Sequence, residues 1–200
     1  MISVYKLKPK FQQLLTPVLL FLHKNKISAN QITISSILLS AGIGLLFWNA
    51  DISKWFFLSL PIGLLIRMAL NALDGMMARK FNQTSKLGEV LNEVGDIVSD
   101  VIIFFPLLKF QPESLYFIII FILMSIINEF SGLIGKVVGK ERRYDGPMGK
   151  SDRALIVGLY GLLIFFGVSI TGISHYIFGI LIFLLLVSTY TRLKKSLHED

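Results

Sequence analysis

The stretch NALDGMMARKFNQTSKLGEVLNEVGD, residues 71–96, places acidic and amide side chains at the junction of two apolar segments. Those segments, residues 55–73 and 90–108, are each close to the ~20 residues that a helix needs to span a bilayer. A charged side chain at membrane depth costs at least about 2.5 kcal/mol on insertion scales and marks a functional site by default. The stretch therefore indicates a polar site between two membrane helices.

The spacing of the polar residues assigns them to two helix faces. Asn71 and Asp74 are three positions apart, while Asn92, Asp96 and Asp100 follow one another at intervals of four. Facing rows of hard oxygen donors suit Mg²⁺ or Mn²⁺ better than a softer metal. We predict a divalent-cation site formed by Asn71, Asp74, Asn92 and Asp96. The alternative is that these are helix-end residues wetted by the membrane interface, which explains any one of them more readily than the whole set.

The composition places the whole chain in a membrane. Of its 200 residues, 54% are hydrophobic and 16% are charged, and the mean hydropathy is +0.68, whereas soluble domains carry roughly 25% charged residues. There are no cysteines, which excludes disulfides and thiolate metal sites. We predict an all-α polytopic membrane protein.

Six apolar runs predict a six-helix bundle. They cover residues 30–49, 55–73, 90–108, 114–138, 154–171 and 173–191. The segment Lys10–Lys24 is expected to form an amphipathic helix at the membrane interface, with Pro17 bending it or starting its second half. We therefore divide the chain into an amphipathic juxtamembrane segment, residues 1–27, and a membrane domain, residues 28–200.

The distribution of basic residues predicts the orientation. All of the 20 Lys and Arg except Lys54, Arg67 and Lys109 lie in the N-terminal segment, the second and fourth loops and the C-terminal tail. The positive-inside rule then predicts that the chain is a multi-pass protein of the cell membrane with both termini and the polar site in the cytoplasm. The net charge of +7 fits contact with anionic lipids. We exclude a nucleic-acid partner, because no recognised fold or basic-aromatic pattern accompanies this charge.

Residues 71–96 also resemble the signature of CDP-alcohol phosphatidyltransferases, D-x-x-D-G-x-x-A-R followed after a spacer by G-x-x-x-D-x-x-x-D. The matching residues are Asp74, Gly75, Ala78, Arg79, Gly88 and Asp96. Asn71 and Asn92 stand at the first and third aspartate positions. SANQITISS (28–36) is similar to the family's entry to its first span, and GPMGKSDRA (146–154) to its later basic loop.

The resemblance implies a homodimeric six-helix bundle with a polar cavity open to the cytoplasm. It implies transfer of a phosphatidyl group from a CDP-linked, CDP-diacylglycerol-like lipid to an alcohol acceptor, with release of CMP. Asp96 would be the catalytic base. The nucleotide would be bound by Asp74, Gly75, Ala78, Arg79 and Gly88.

The two asparagines remove two formal charges from the metal site, and three consequences stay open. The site binds one metal with Glu93 or Asp100 compensating, it takes a differently charged substrate, or it binds a CDP-lipid without catalysis. We favour active transfer, because Asp96 is retained. A transporter is less well supported, because the second and third spans lack the Gly- or Pro-broken centre of midplane transport sites.

Three further features bear on the site. Arg67, seven residues before Asp74, is either a counter-charge for the acids or extends to the interface, and Glu129 is either a functional inward-facing group or a helix–helix hydrogen-bonding partner. In the basic loop, Lys150, Ser151 and Arg153 are predicted to bind the acceptor or a phosphate group. The alternative for that loop is a topology determinant with Ser151 or Asp152 as a helix cap.

Overall fold

The computed structural model describes residues 8–139 and 141–198, and all regular secondary structure within these ranges is helical. The α-helices are α1 (Lys8–Lys24), α2 (Ala29–Trp48), α3 (Ser59–Lys80), α4 (Lys86–Phe104), α5 (Leu107–Phe110), α6 (Leu115–Val138), α7 (Lys150–Phe165) and α8 (Ser174–Leu197). Short 3₁₀ turns, Lys54–Leu58 and Pro112–Ser114, lead into α3 and α6. The all-α prediction is confirmed. Residues 1–7 of the predicted juxtamembrane segment lie outside the described residues.

Within the described ranges, four helical segments are long and apolar enough to cross a membrane: Ala29–Trp48, Lys54–Lys80, Pro112–Val138 and Ser174–Leu197. Two of the six predicted apolar runs, those that form α4 and α7, are not among these four segments. The helix α4 carries several acids, and α7 is only 16 residues long. It stops before the predicted end because Gly167 adopts a φ of 81°, a left-handed conformation that terminates helices. Six spans therefore remain a prediction.

The first helix packs on α3 by one apolar face and exposes another. Leu19 is fully buried in a cluster with Leu73 and Met77 of α3. Leu14 and Phe21 point away from this cluster and are exposed. Because apolar side chains lie on two sides of α1, its placement at the membrane interface stays a prediction.

Small residues allow the central helices to pack closely. The helix α2 packs against both α3 and α4, while α3 also packs against α7, and α6 against α8. A Cβ atom at Gly44 would lie 2.6 Å from Ile102, and one at Gly63 would lie 2.5 Å from Ile43. Close backbone approach of this kind is how membrane helices associate without a hydrophobic driving force between them.

Along the bundle, apolar residues and charged residues are concentrated at opposite ends. The apolar core, which includes Phe47, Leu60, Phe104, Phe121 and Leu185, occupies one end of the bundle. The buried acidic side chains lie toward the other ends of the same helices, beside the turn 81–85 and the loop 139–149. These are the two loops that carry the predicted cytoplasmic basic residues. The fold therefore gathers the polar residues of separate helices into one region.

Candidate functional site

Asn71, Asp74 and Asp96 lie where α3 and α4 approach each other after the turn 81–85. The Asn71 Nδ2 group donates a hydrogen bond to Asp96 Oδ1 at 3.1 Å. Asp74, one turn further along α3, is 4% exposed, and Asp96 is 7% exposed. The structure therefore brings three of the four predicted metal ligands to one buried polar region.

Two hydroxyl residues of α2 complete this region, and the sequence analysis missed their role. Thr33 Oγ1 donates to Asp74 Oδ2 at 3.0 Å, and Ser36 Oγ donates to Asn71 Oδ1 at 2.7 Å. Thr33, Ser36 and Ser40 are related by i, i+3 and i+7, so they form a polar row on one face of α2. That spacing is the signal that could have identified them.

One carboxylate oxygen of Asp74 has no hydrogen-bond donor among the described residues. Its Oδ1 atom is buried and accepts no hydrogen bond from the described residues. Leaving a buried acceptor unsatisfied costs free energy, about 1–3 kcal/mol and more for a charged group, and a bound cation would remove that cost. Within residues 8–139 and 141–198, no group of three or more His, Cys, Asp or Glu side chains has the arrangement of a metal site. Two carboxylates and a neighbouring amide are hard oxygen donors, which are chemically suited to Mg²⁺ or Mn²⁺.

Asp96 is flanked by two cations. Lys150 Nζ, from the first turn of α7, lies 2.5 Å from Asp96 Oδ2. Arg67 Nη2 lies 3.5 Å from Asp96 Oδ1 and donates to the Asp96 carbonyl oxygen at 3.3 Å. Because Arg67 is 2% exposed, it is a counter-charge for the acids and does not extend to the interface. Lys150, which is predicted from the sequence to bind the acceptor or a phosphate group, contacts the predicted base.

Arg153 holds three helices together through buried ion pairs. Its Nη2 atom lies 2.7 Å from both Asp100 Oδ2 of α4 and Glu129 Oε1 of α6. The Arg153 side chain is 0% exposed, so in this arrangement it offers no surface to a phosphate. Asp100 is bonded to Arg67 at 2.9 Å as well, so both of its oxygens are paired with arginines. Glu129 faces inward and is also bonded to another helix, so it combines a feature of each of the two sequence alternatives.

Arg142 attaches the loop after α6 to the helices α4 and α6. Its Nη2 atom lies 2.9 Å from Glu93 Oε2 and 2.8 Å from Glu129 Oε2. Burial opposes the charged form of this guanidinium, but the carboxylates of Glu129 and Glu93 and the ring of Tyr144 outweigh it and hold the pKa of Arg142 above its usual range. Arg142 is therefore a permanent cation shared between two helices.

The residues expected to bind a nucleotide lie at the loop end of α3 and α4. Gly75 and Ala78 are half-buried on α3, and Arg79 is exposed. A Cβ atom at Gly88 would lie 2.6 Å from Asn30 Oδ1, so this glycine lets the start of α2 approach α4. Asn92 is exposed, and its side chain makes no hydrogen bond to another described residue.

Asp152, one of the two residues predicted to cap α7, takes part in the cap from inside the helix. Gly149 is the residue before the helix, and its backbone N–H donates to Asp152 Oδ2 at 3.1 Å. Ser151 is half-buried in the first turn. The cap thus uses Asp152 from inside the helix and leaves the Ser151 hydroxyl to another role.

Comparison with known protein sequences finds a matching family and related proteins. Residues 26–190 match the family described as CDP-alcohol phosphatidyltransferase. The chain is 46% identical over 162 residues to inner membrane protein YnbA of Escherichia coli (strain K12), which covers 81% of this chain and 80% of that protein. It is 32% identical over 99 residues to an uncharacterized protein of Aquifex aeolicus (strain VF5), covering 50% of this chain and 48% of that protein.

Two solved structures have the same fold. Mycobacterium tuberculosis phosphatidylinositol phosphate synthase (PgsA1) with CDP-DAG bound aligns with a TM-score of 0.76 and 20% identity, over 93% of this chain and 94% of the other. The same enzyme in complex with manganese and citrate aligns with a TM-score of 0.74 and 19% identity, over 92% and 88% of the two chains.

Proposed function

This chain belongs to the CDP-alcohol phosphatidyltransferase family, and we propose that it transfers a phosphatidyl, or other substituted phosphate, group from a CDP-activated lipid to an alcohol acceptor. In this reaction the acceptor oxygen attacks the lipid-bearing phosphorus of the diphosphate. The bond from that phosphorus to the bridging oxygen breaks, and CMP leaves with the bridging oxygen. The acceptor hydroxyl loses one proton, which the protein must accept.

Asp96 is the group to which we assign that proton. The observation that carries the proposal is the position of Asp96: it lies between Asn71 of the motif on one side and Lys150 of α7 on the other. A base for this reaction must face the diphosphate and the incoming alcohol together. Lys150 and Arg67 then orient the carboxylate and are positioning residues.

The diphosphate and nucleotide are assigned to the α2–α3–α4 side. Gly75 and Ala78 present little side-chain bulk there, and Arg79 is exposed and makes no ion pair with another described residue. A guanidinium of this kind can offset diphosphate charge through bidentate hydrogen bonds. We keep Asp74 and Gly88 in the same binding role, since they flank this surface on α3 and α4.

Mg²⁺ or Mn²⁺ is the cofactor we propose, with Asp74 and Asp96 as its carboxylate ligands and Asn71 in support. Such an ion would neutralise diphosphate charge and polarise the phosphorus under attack. The buried, unsatisfied Asp74 Oδ1 atom supports this assignment. Asn92, being exposed, is the weakest member of the predicted set.

The remaining expectations extend this proposal to the whole molecule. We propose six spans, cytoplasmic termini and a cytoplasmic site, which agree with the gathering of polar residues beside the basic loops. We also retain the homodimer that the family resemblance implies.

A second candidate is CDP-lipid binding without turnover. It is favoured by the pairing of both Asp96 oxygens, since Lys150 and Asn71 already occupy the positions at which an acceptor hydroxyl would bind the carboxylate. The two functions differ in one product, because only the transferase releases CMP.

Lipid mass spectrometry of cells that lack or overproduce the protein tests the proposal. A transferase changes the amount of one phospholipid or phosphodiester class in opposite directions in the two strains. Overproduction of the Asp96→Asn variant is the matched control and should leave that class at its basal level. Unchanged lipids in all strains, together with CDP-diacylglycerol binding by the purified protein, would favour the binding protein.

A further inference from the structure

We infer that the acceptor alcohol carries no phosphate or other anionic group. This inference rests on the proposed function and deepens it by naming the class of acceptor. It follows from the charge balance of the side of Asp96 that faces away from the nucleotide.

The acceptor must reach Asp96 from one direction. The nucleotide residues occupy the side of Asp96 formed by α2, α3 and the start of α4. The other side is formed by α6, the start of α7 and the loop 141–149, and Lys150 reaches Asp96 Oδ2 from there. We call the connected network of ion pairs that begins at Lys150 and Asp96 and extends to Arg67, Arg153 and Arg142 the acceptor-side cluster.

Each cation of this cluster is already paired with a carboxylate of the protein. The four cations are Arg67, Arg142, Lys150 and Arg153. Their partners are four carboxylates, Glu93, Asp96, Asp100 and Glu129. The ion-pair distances lie between 2.5 and 3.5 Å. The formal charge of the cluster is therefore zero.

Arg192 is a further buried cation nearby, and its guanidinium is used by the main chain. It donates to the Asn128 carbonyl at 2.5 Å and to the Asp145 carbonyl at 3.1 Å. Its 2% exposure leaves no face for a ligand. Asp145, whose carbonyl it binds, forms an ion pair with Lys195.

The nucleotide side has the opposite character. Arg79 is exposed, and no carboxylate of the described residues pairs with it. A diphosphate can therefore find an available guanidinium at Arg79. A phosphate arriving at the acceptor-side cluster cannot.

A phosphomonoester carries about −1.5 to −2 charges near neutral pH and needs available cations. To bind one here, Arg142 or Arg153 would have to leave Glu129, and this buried carboxylate would lose one of its two cationic partners. Breaking a buried pair in this way is strongly unfavourable. An uncharged hydroxyl compound requires no such exchange and can approach Asp96 while the pairs stay intact.

The test compares matched acceptors on the full-length protein in liposomes containing CDP-diacylglycerol and Mn²⁺. The pairs are glycerol with glycerol 3-phosphate and inositol with inositol 1-phosphate, and the readout is CMP release. We expect at least about tenfold faster release with the unphosphorylated member of the productive pair, because the phosphorylated one must break a buried ion pair. Equal or faster release with the phosphorylated member overturns the inference.

Variants that unbalance the cluster give a second readout. Glu93→Gln removes a partly exposed carboxylate that pairs with Arg142 alone, and Glu129→Gln removes one shared by Arg142 and Arg153. Either change leaves one net positive charge, so glycerol 3-phosphate should bind about tenfold more tightly than to the unaltered protein, because a cation is now available to it. Asp51→Asn is the control, since it makes the same change of charge in an exposed pair with Lys109 at the opposite end of the bundle.

Calorimetry with glycerol 3-phosphate separates failure of the inference from failure of the proposed function. If no acceptor releases CMP, the transfer reaction is contradicted, and binding then decides the charge question. Tight glycerol 3-phosphate binding to the unaltered protein would overturn the inference. Binding that appears in Glu93→Gln and is absent in Asp51→Asn would support it, even if Glu129→Gln fails to fold.

Discussion

Asn71 is the residue at which this chain departs most informatively from the family pattern. Its amide nitrogen donates to Asp96 while its amide oxygen accepts from Ser36. An aspartate at this position could accept but not donate, and it would place two carboxylates in contact. The asparagine therefore adds a hydrogen-bond donor, beside the cations Arg67 and Lys150, to the buried carboxylate of Asp96.

We predict that Asn71→Asp tightens Mn²⁺ binding by at least about tenfold, because a new charge within the site counts for more in a low-dielectric surrounding than in water. Without Mn²⁺, the same variant should melt at a lower temperature, since the two carboxylates then repel one another. Calorimetric titration and thermal unfolding in one detergent measure both effects.

Asn92→Asp is the matched control for this experiment. The Asn92 side chain is exposed, so its effect on Mn²⁺ affinity should be smaller than that of Asn71→Asp. Equal Mn²⁺ affinities for the Asn71→Asp variant and the unaltered protein would contradict the assignment of Asn71 to the metal region.

At the residue scale, the sequence could predict the members of the site that belong to a continuous motif. Helical spacing indicated that Asn71 and Asp74 share a face, and the structure places both near Asp96. It could not predict that Lys150 contacts Asp96, because 54 positions separate them and no local pattern pairs them. Thr33 and Ser36 were missed for a different reason, since their polar row was visible but was assigned no partner.

At the scale of helices, α4, α6 and α7 are joined by charge rather than by apolar packing alone. Arg153 connects Asp100 of α4 with Glu129 of α6. The acids of α4 keep it from reading as an apolar span. They can nevertheless be buried, because partners on other helices neutralise them. The sequence showed the acids and the arginines, but their pairing depends on contacts between helices that periodicity does not encode.

We predict that Arg153→Met lowers the free energy of unfolding by about 3–5 kcal/mol, because two buried carboxylates lose their shared partner. Lys136→Met is the control: its pair with Glu89 is exposed, and such pairs contribute about 0–1 kcal/mol. Thermal unfolding of both variants in one detergent measures the difference.

A triple variant, Arg153→Met with Asp100→Asn and Glu129→Gln, should recover part of the lost stability, because the two buried groups that lose Arg153 are then uncharged. A loss for Arg153→Met no larger than that for Lys136→Met would show that the buried network does not hold these helices together.

At the scale of the whole molecule, the helices are apolar toward one end of the bundle and polar toward the other. Composition and charge distribution predicted an all-helical membrane protein with its site beside the basic loops. The number of spans was less well determined, because Gly167 ends α7 early and charged residues interrupt α4. Local hydropathy cannot register charges that are neutralised across the bundle.

We predict that the turn 81–85 and the segment before α3 lie on opposite sides of the membrane. Because the chain has no cysteine, Thr84→Cys and Lys54→Cys each introduce one reporter thiol. A membrane-impermeant maleimide should label Lys54→Cys in intact cells and Thr84→Cys only after permeabilisation. Labelling of both variants in intact cells would contradict the cytoplasmic site.

The central claim is that Asp96 makes this chain a transferase, and CMP release by the purified protein tests it most directly. The unaltered protein, reconstituted with CDP-diacylglycerol, Mn²⁺ and a panel of alcohols, should release CMP. Asp96→Asn should abolish release while CDP-lipid binding weakens only moderately, because Asp74 and Arg79 remain. Asp74→Asn should reduce binding and release together. Release by Asp96→Asn at the rate of the unaltered protein would contradict the account.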